Sequence, residues 1–351
     1  MSIFEALSGL EYMAMADREN VQTGLLAWLL GAHSPLPVSS RVAILTRLSG
    51  RELPPVTATM AKTEDQNIDL VIACKLEDGS LTHVALENKL KSTESAHQLN
   101  KYDAHLASRC VHAKIFLTLI GENPRGGAGW HAASYADLAG ALDATVAEGI
   151  DCDPYVRDAR AMLHRLVEAV SLVISNPRFA SLVFSRGPNV VTSEEASFRR
   201  YVETLRLRRL LQRAWCGELG RSLGGLAHGW STKTGTGARS AASYLHVSRV
   251  VGTGSDSCRV GLAVESLVLK AFCYPEPYPK KESADQAAAV KGRLHQIRAA
   301  LDLGPKIKAS SSKGHGFRSY KVLHKKSDAP DIQTWSTYVC QRYQQLAGTP
   351  W

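Results

Sequence analysis

The sequence predicts an α/β fold for the first half of the chain and a second, basic domain of α+β type for the rest. Up to about residue 176, short β-like segments are interspersed with amphipathic helical ones, which is typical of a sheet with helices on it. The chain has 351 residues, enough for two domains of ordinary size. Its 44% hydrophobic and 21% charged residues are the values of a globular protein.

In the first half, Asp17 is placed to cap a helix that ends near Gly31, and a second helix is expected over 40–48. Pro54 and Pro55 then break the chain. Strands are expected where apolar residues run between turn residues, and helices where apolar residues recur at helical spacing. The further elements are strands over 56–62, 69–77 and 81–89, a helix over 92–107, a strand over 113–120, and helices over 134–147 and 154–175.

We place the second half at 177–351, after the Asn176-Pro177 break. There the same patterns predict a helix, then three consecutive strands, then two helices. The residues 306–326 are polar, basic and interrupted by Gly and Ser, so no helix or strand is predicted there. The expected elements are an Arg-rich helix over 193–219, strands over 243–251, 257–266 and 268–273, and helices over 284–301 and 332–346.

Composition excludes several classes of protein. No stretch approaches the ~20 consecutive apolar residues of a membrane span, and the first residues lack the pattern of a secretory signal. The seven cysteines are scattered without a C-x-x-C pair, which indicates reduced thiols rather than a zinc cage or a disulfide framework. We therefore expect a cytoplasmic protein without a membrane partner.

Charge is divided unevenly along the chain. Residues 1–176 contain 15 Lys and Arg against 21 Asp and Glu, whereas residues 177–351 contain 27 against 12, and the whole chain carries +9. A half with a net charge of +15 is typical of a protein that meets a polyanion, although a solvated basic surface remains an alternative.

The two strands around Asp78-Gly79 are expected to form a hairpin. A three-residue loop, 78–80, collects the apolar residues of both strands on one face, whereas a two-residue loop mixes polar and apolar residues on both faces. The consistent register sets Asp69 opposite Lys89 and Val71 opposite Glu87. Two carboxylates and an ammonium then gather on the other face, at one end of the sheet.

This cluster has a chemical use. Two carboxylates on a rigid sheet suit a hard divalent cation such as Mg²⁺, which polarises a phosphodiester and lowers the pKa of a bound water. Lys89, on the same face as Asp69 and Glu87, can orient the attacking water and stabilise developing charge. A plain Glu–Lys pair at the end of a strand is the alternative.

Neighbouring residues strengthen the hypothesis of a site. Ser92 is a plausible N-cap, so Glu94, Gln98 and Tyr102 fall on one face of the following helix. Upstream, Glu19 lies in the first turn of the helix that begins after Asp17. It can supply a further carboxylate, although a Glu there also interacts favourably with the helix dipole.

Taken together, these residues resemble the PD-(D/E)XK nuclease superfamily over roughly residues 11–145. The motifs are RENVQTGLLAWLL, NIDLVI, ALENKLKSTE, QLNKY, KIFLTLI and WHAASYADL. The resemblance implies a mixed central sheet flanked by helices and a cofactor of Mg²⁺, with Mn²⁺ as a plausible substitute. Ile68 stands where the family name has proline, which weakens that motif. The resemblance does not extend to residues 177–351.

The resemblance also assigns roles. Asp69 and Glu87 would be the main metal ligands, Lys89 the catalytic lysine, Glu19 an accessory metal ligand, and Gln98 and Tyr102 supporting residues of the catalytic site.

The expected function is a metal-dependent nuclease, in first place a DNA endonuclease, and defence against foreign DNA is a setting that the resemblance allows. RNA as the substrate stays open, as does a nucleic-acid-binding protein that keeps the fold without cutting. Homo-oligomers and partner subunits stay open too.

Basic residues of the second half are expected to bind the phosphate backbone. Four arginines have spacings that place them near one face of the 193–219 helix, and five residues lie in the polar segment before the last helix, which is expected to order on binding. A solvated charged face is the alternative. The residues are Arg199, Arg206, Arg209, Arg213, Lys313, Arg318, Lys321, Lys325 and Lys326.

Overall fold

The structure is a computed structural model of the 351-residue chain. It describes residues 3–4, 19–90, 98–124, 126–146, 153–184, 191–236, 243–279, 282–304, 307–311, 317–324 and 331–351. These residues form two compact units. The first contains Met1–Val170 and Thr192–Leu207, and the second contains Ser171–Val191 and Arg208–Trp351.

Both units contain helices and strands. The helices are α1 (Glu19–Leu30), α2 (Val38–Ser49), α3 (Gln98–Leu106), α4 (Tyr135–Val146), α5 (Pro154–Ser175), α6 (Pro177–Phe184), α7 (Ser193–Thr204), α8 (Arg208–Ser222), α9 (Ala284–Ala300) and α10 (Ile332–Ala347). The strands are β1 (Val56–Asp65), β2 (Ile68–Leu76), β3 (Leu81–Lys89), β4 (Val111–Thr118), β5 (Trp130–Ser134), β6 (Ser231–Thr236), β7 (Ser243–Val251), β8 (Cys258–Glu265), β9 (Val268–Pro275), β10 (Ser310–Ser311) and β11 (Arg318–His324).

The first unit is built on a five-stranded sheet in the order β1-β2-β3-β4-β5. β1, β2 and β3 are antiparallel neighbours, whereas β4 runs parallel to β3 and β5 parallel to β4. The expectation of a mixed central sheet flanked by helices is confirmed. Strand β5, which sequence analysis did not predict, completes the sheet with the five residues of WHAAS.

The β2–β3 hairpin differs from its predicted register by two residues. Leu70 pairs with Leu86, and the pairing continues to Lys75 with Leu81, so the loop occupies 77–79 instead of 78–80. The reason lies in Gly79, whose φ of 84° supplies the left-handed third position of a three-residue loop. Its N–H donates a 3.0 Å bond to the carbonyl of Leu76.

A shift of two residues leaves every side chain on its predicted face. Leu70, Ile72, Val84 and Leu86 are fully buried on one face, where α1, α2 and α4 pack. On the other face, α3 lies over a second cluster of buried side chains. That cluster consists of Ile68, Val71, Ala85, Leu99, Tyr102, Leu106, Phe116 and Trp130.

The second unit contains a six-stranded sheet in the order β10-β11-β9-β8-β7-β6, in which all neighbours are antiparallel. The expected basic α+β domain therefore has a sheet and helices. Strand β6 is not among the predicted elements, and neither are β10 and β11, because no helix or strand is predicted over 306–326. Arg318 and Lys321 lie on β11, which pairs with β9.

The predicted Arg-rich helix over 193–219 is wrong, because the chain folds into α7 and α8 there. Arg206 has a φ of 53°, and the N–H of Leu207 donates a 2.9 Å bond back to the carbonyl of Val202. Leu205 and Leu207 are 3% and 1% exposed, so burial of these two leucines holds the break in place. The predicted single arginine face therefore does not exist.

Among the described residues, no single helix has the length and apolar character to cross a membrane. One bent pair, Pro154–Ser175 with Pro177–Phe184 at 102°, meets the length and composition criteria only when its two helices are taken together.

Candidate active site

Asp69 and Glu87 meet where the pairing of β2 and β3 ends. The last ladder pair is Leu70 with Leu86, and the next position of each strand carries a carboxylate. The backbone N–H of Asn88 donates a 2.8 Å bond to Oδ2 of Asp69, and the N–H of Asp69 lies 3.5 Å from Oε2 of Glu87. Each carboxylate thus accepts from the backbone of the opposite strand, which fixes the two groups beside each other. The predicted pairing of Asp69 with Lys89 is wrong, but both carboxylates lie on the predicted face.

Lys89 brings a positive charge to both carboxylates. Its Nζ lies 2.6 Å from Oε1 of Glu87 and 3.7 Å from Oδ2 of Asp69. The side chain of Lys89 is only 9% exposed and that of Glu87 is fully buried, whereas the Asp69 side chain is 25% exposed. The cluster is therefore closed on the Glu87 side and reaches solvent at Asp69.

The electrostatics of the cluster favour a further positive charge. Burial, together with the neighbouring Asp69 carboxylate, raises the pKa of Glu87 to about 7, although Lys89 acts in the opposite direction. With both carboxylates ionised, the cluster of Asp69, Glu87 and Lys89 has one more negative charge than positive, and an uncompensated charge beside the buried Glu87 is unfavourable. A cation that joined the two carboxylates would compensate it.

Helix α3 covers this cluster with two polar side chains one turn apart. The amide Nε2 of Gln98 donates a 2.8 Å bond to Oε1 of Glu87 and a 2.7 Å bond to the hydroxyl oxygen of Tyr102. Burial raises the pKa of the Tyr102 hydroxyl, and the Glu87 and Asp69 carboxylates act in the same direction. The structure thus brings together five of the predicted site residues: Asp69, Glu87, Lys89, Gln98 and Tyr102.

Asn88, which sequence analysis did not identify, positions the strand that carries the site. Its fully buried side chain points to the opposite face from Glu87 and Lys89. There its Nδ2 donates a 3.2 Å bond to Oγ1 of Thr23 on α1, and its Oδ1 accepts a 2.9 Å bond from the hydroxyl of Tyr135 on α4. The sequence contains a signal for Asn88, because this polar side chain takes a position of β3 at which alternation otherwise places apolar residues such as Val84 and Leu86.

The donor set suits a hard divalent cation. Mg²⁺ prefers oxygen ligands and commonly binds through one or two carboxylates, with waters and substrate phosphate oxygens completing its shell. Asp69 and Glu87 supply such a pair. No group of three or more His, Cys, Asp or Glu side chains converges among the side chains that the structure describes. Glu19 begins α1, but its side chain lies outside the described part, as does Glu94.

The predicted phosphate-binding residues are distributed over both units. Arg213 is 2% exposed, so its burial contradicts a place on the surface. Arg199 pairs with Glu203 at 3.0 Å, and the guanidinium of Arg318 lies 3.1 Å from Glu282. Arg206, Arg209 and Lys321 are exposed, whereas Lys313, Lys325 and Lys326 lie outside the described residues.

Comparison with known proteins finds a similarity for the first unit alone. Residues 50–150 match a family model described as the PD-(D/E)XK nuclease superfamily. The matched segment contains β1 to β5 and α3, and therefore Asp69, Glu87, Lys89, Gln98 and Tyr102, but neither Glu19 nor any part of 177–351. No curated protein and no solved structure matches the chain. Nucleases of this superfamily generally use divalent metals such as Mg²⁺. Residues 50–150 are thus similar to the PD-(D/E)XK nuclease superfamily, and this similarity points to a phosphodiester-cleaving nuclease.

Proposed function

We propose that the chain is a Mg²⁺-dependent nuclease that hydrolyses phosphodiester bonds. Its proposed substrate is DNA, which it would cleave at internal positions. The observation that carries the proposal is the contact of Lys89 with both Glu87 and Asp69, at 2.6 and 3.7 Å, under the amide of Gln98. In this arrangement the two carboxylates would hold a metal ion, and the ammonium of Lys89 would place a fixed positive charge beside the phosphodiester.

Each residue has a chemical task in this proposal. Asp69 and Glu87 would hold the cation, which when bound polarises the phosphodiester and lowers the pKa of a coordinated water. Lys89 keeps its ammonium within 2.6 Å of Glu87, where it can orient the attacking water and neutralise charge that develops on the phosphate. Gln98 holds the Glu87 carboxylate in one orientation, and the hydroxyl oxygen of Tyr102 accepts a hydrogen bond from the same amide nitrogen.

Cleavage is favoured over binding alone because of the carboxylates. A surface that only binds nucleic acid gains nothing from Asp69 and Glu87, since carboxylates repel phosphates unless a cation lies between them. Defence against foreign DNA is the setting that we propose, and a cytoplasmic location is supported by the six described cysteines, all of which are free.

The experiment is a cleavage assay with the full chain on circular duplex DNA, linear duplex DNA, single-stranded DNA and RNA, each with Mg²⁺, Mn²⁺ or EDTA. We expect the circular DNA to be opened with Mg²⁺ and to stay intact in EDTA. Glu87→Gln, Asp69→Asn and Lys89→Met are each expected to lower the rate by at least a hundredfold.

The control is Glu77→Gln, which makes the same chemical change at an exposed position of the same hairpin. This variant should cleave at the wild-type rate. Cleavage by a folded Glu87→Gln protein at the wild-type rate would remove the site from the reaction. Cleavage of RNA alone would overturn the choice of substrate while leaving the site intact.

A further inference from the structure

The sheet of the second unit has two faces of different character. Helices α8 and α9 pack on one of them: Gly220 of α8 lies against Leu245, and the Arg298 guanidinium of α9 lies 5.4 Å from the Tyr320 ring. The buried side chains of this face include Val260 and Cys273. Because side chains alternate along a strand, the residues between them form the opposite face. Of the described helices of this unit, α8 contacts β6 and β7, α9 contacts β8, β9 and β11, and α10 packs on α8 through Trp335 and Trp215.

That opposite face carries a row of aromatic rings from β7, from β9 and from Phe317, the residue before β11. The ring centres of Tyr244 and His246 are 4.3 Å apart, and those of His246 and Phe272 are 4.6 Å apart. Phe272 also stacks on Tyr274 at 5.6 Å and on Phe317 at 5.5 Å, with interplanar angles of 12° and 21°. Phe272 is fully buried and forms the floor of this aromatic row, whereas the other four rings are partly exposed.

Basic side chains surround the aromatic row. On the central strands, Arg259 pairs with Glu276 at 2.7 Å, and Lys270 pairs with Glu265. On the outer strands, Lys233 pairs across the ladder with His246, and Lys321 pairs with Lys270, so both point to the aromatic face. Lys233 and Lys321 are exposed, and neither forms an ion pair with a described residue. This face therefore has a positive charge at each side of its rings.

We propose that the aromatic face of the second sheet binds single-stranded nucleic acid, with bases stacked on the partly exposed rings and phosphates at Lys233 and Lys321. Rings and flanking cations on one open sheet are the combination that binds unpaired bases and their backbone. A duplex keeps the faces of its bases stacked inside, so its phosphates could meet the lysines but its bases could not meet the rings. The inference rests on the proposed function in that it names the form of nucleic acid that this chain recognises.

The experiment measures binding of the full chain to a fluorescein-labelled thymidine oligonucleotide and to a duplex of the same length, by anisotropy in EDTA. Single strands should bind at least tenfold more tightly than the duplex. The double variant Lys233→Glu, Lys321→Glu should lose about tenfold in affinity and flatten the salt dependence, since each phosphate contact on a single strand contributes a slope of about 0.7. Tyr274→Leu should weaken binding at least fivefold through lost stacking.

The matched control is Lys291→Glu, an exposed lysine of α9 on the helix side of the same unit. It should leave single-strand affinity within twofold of wild type. The control changes the net charge by half as much as the double variant, so a loss of binding free energy half as large or larger in the control would assign the effect to net charge and overturn the proposal. Tighter binding of the duplex would also overturn it.

A measurement on the unmodified chain keeps the proposal testable if Tyr274→Leu fails to fold. Photo-crosslinking to an oligonucleotide that carries 5-iodouracil should label peptides from β7, β9 and β11. Labelling confined to α8, α9 or α10, or a stable dimer whose formation blocks the oligonucleotide, would overturn the proposal. Binding in EDTA does not need the carboxylates, so a Glu87→Gln protein that no longer cuts should still bind. If Glu87→Gln no longer binds the single strand, the sheet face is not the binding surface. If Glu87→Gln still cleaves at the wild-type rate, the proposed active site is wrong.

Discussion

The amide of Gln98 donates a 2.8 Å hydrogen bond to Oε1 of Glu87, and this bond joins the beginning of α3 to the end of β3. The same oxygen lies 2.6 Å from Nζ of Lys89. The carboxylate of Glu87 is thus held from a helix and from its own strand at once. Groups restrained from two elements keep their orientation without a cost at the moment of reaction, which is how a preorganised site lowers a barrier.

Gln98→Ala is therefore expected to slow cleavage by ten- to a hundredfold without unfolding the protein. A hydrogen bond to a charged group contributes about 1.5–3 kcal/mol, and about 1.4 kcal/mol corresponds to tenfold in rate. Tyr102→Phe removes only an acceptor of the same amide and should cost less than tenfold. Single-turnover rates at saturating Mg²⁺ test both variants. A Gln98→Ala protein as fast as wild type would show that the bond does not act in catalysis.

Asn88→Ala is expected to destabilise the first unit by about 2–3 kcal/mol, because it leaves the hydroxyls of Thr23 and Tyr135 without their buried partner. Tyr135→Phe, which removes one of the two bonds, should cost about 1 kcal/mol. Urea unfolding measures both variants, and hydrogen exchange at the end of β3 should rise in Asn88→Ala. Equal stabilities for these two variants and wild type would contradict the bridging role.

Gly79→Ala should lower stability by about 1–2 kcal/mol, since the left-handed φ of 84° is costly for a residue with a Cβ. No atom lies within 4 Å of the added methyl group, so the cost is conformational and not steric. Gly79→Asn, whose side chain tolerates this region better, should be the milder change. Urea unfolding of the two variants gives the comparison, and Asn as harmful as Ala would argue against a left-handed third loop position.

The half-buried His246 makes the second unit sensitive to acid. Burial and the neighbouring Lys233, Arg259 and Lys270 lower the pKa of His246 to about 4 from 6.5, although Glu265 acts in the opposite direction. The unfolded chain therefore binds the proton first, and stability falls as the pH drops from 6.5 towards 4. Between pH 7 and pH 5.5 the loss from this residue is about 1 kcal/mol.

In His246→Phe this part of the pH dependence should disappear, and urea unfolding at the two pH values measures it. His228→Gln, a change at an exposed histidine of the same unit, should leave the slope as it is. A wild-type slope in the Phe variant would mean that other groups cause the acid sensitivity.

Much of the first unit could be predicted because its signals are local. The alternation of apolar residues placed Asp69, Glu87 and Lys89 on one face, and it survives a register error of two residues, since side chains repeat every second position. The exact pairing depended on which residue takes the left-handed position, and Gly79 decided it in favour of Leu70 with Leu86.

Other features depended on partners far apart in the chain. The arginine spacing over 193–219 suggested one helix, but burial of Leu205 and Leu207 divides the segment into α7 and α8. Asn88 found its partners in Thr23 and Tyr135, which are 65 and 47 residues away. The polar segment before α10 contains a strand because β9 offers it an edge with which to pair.

Composition and local pattern were enough to give the two-part charge division, the α/β class of the first unit and the face of the β2–β3 hairpin on which Asp69, Glu87 and Lys89 lie. Those features follow from composition and from the period-two alternation of a strand, which any local window contains. Three-dimensional packing was needed to show that Gln98 restrains Glu87, that Arg213 is buried, and that the rings of β7, β9 and Phe317 meet on one face of the second sheet. Each of these features depends on contacts between segments that are far apart in the chain. A local sequence pattern contains no information about which distant residues will meet.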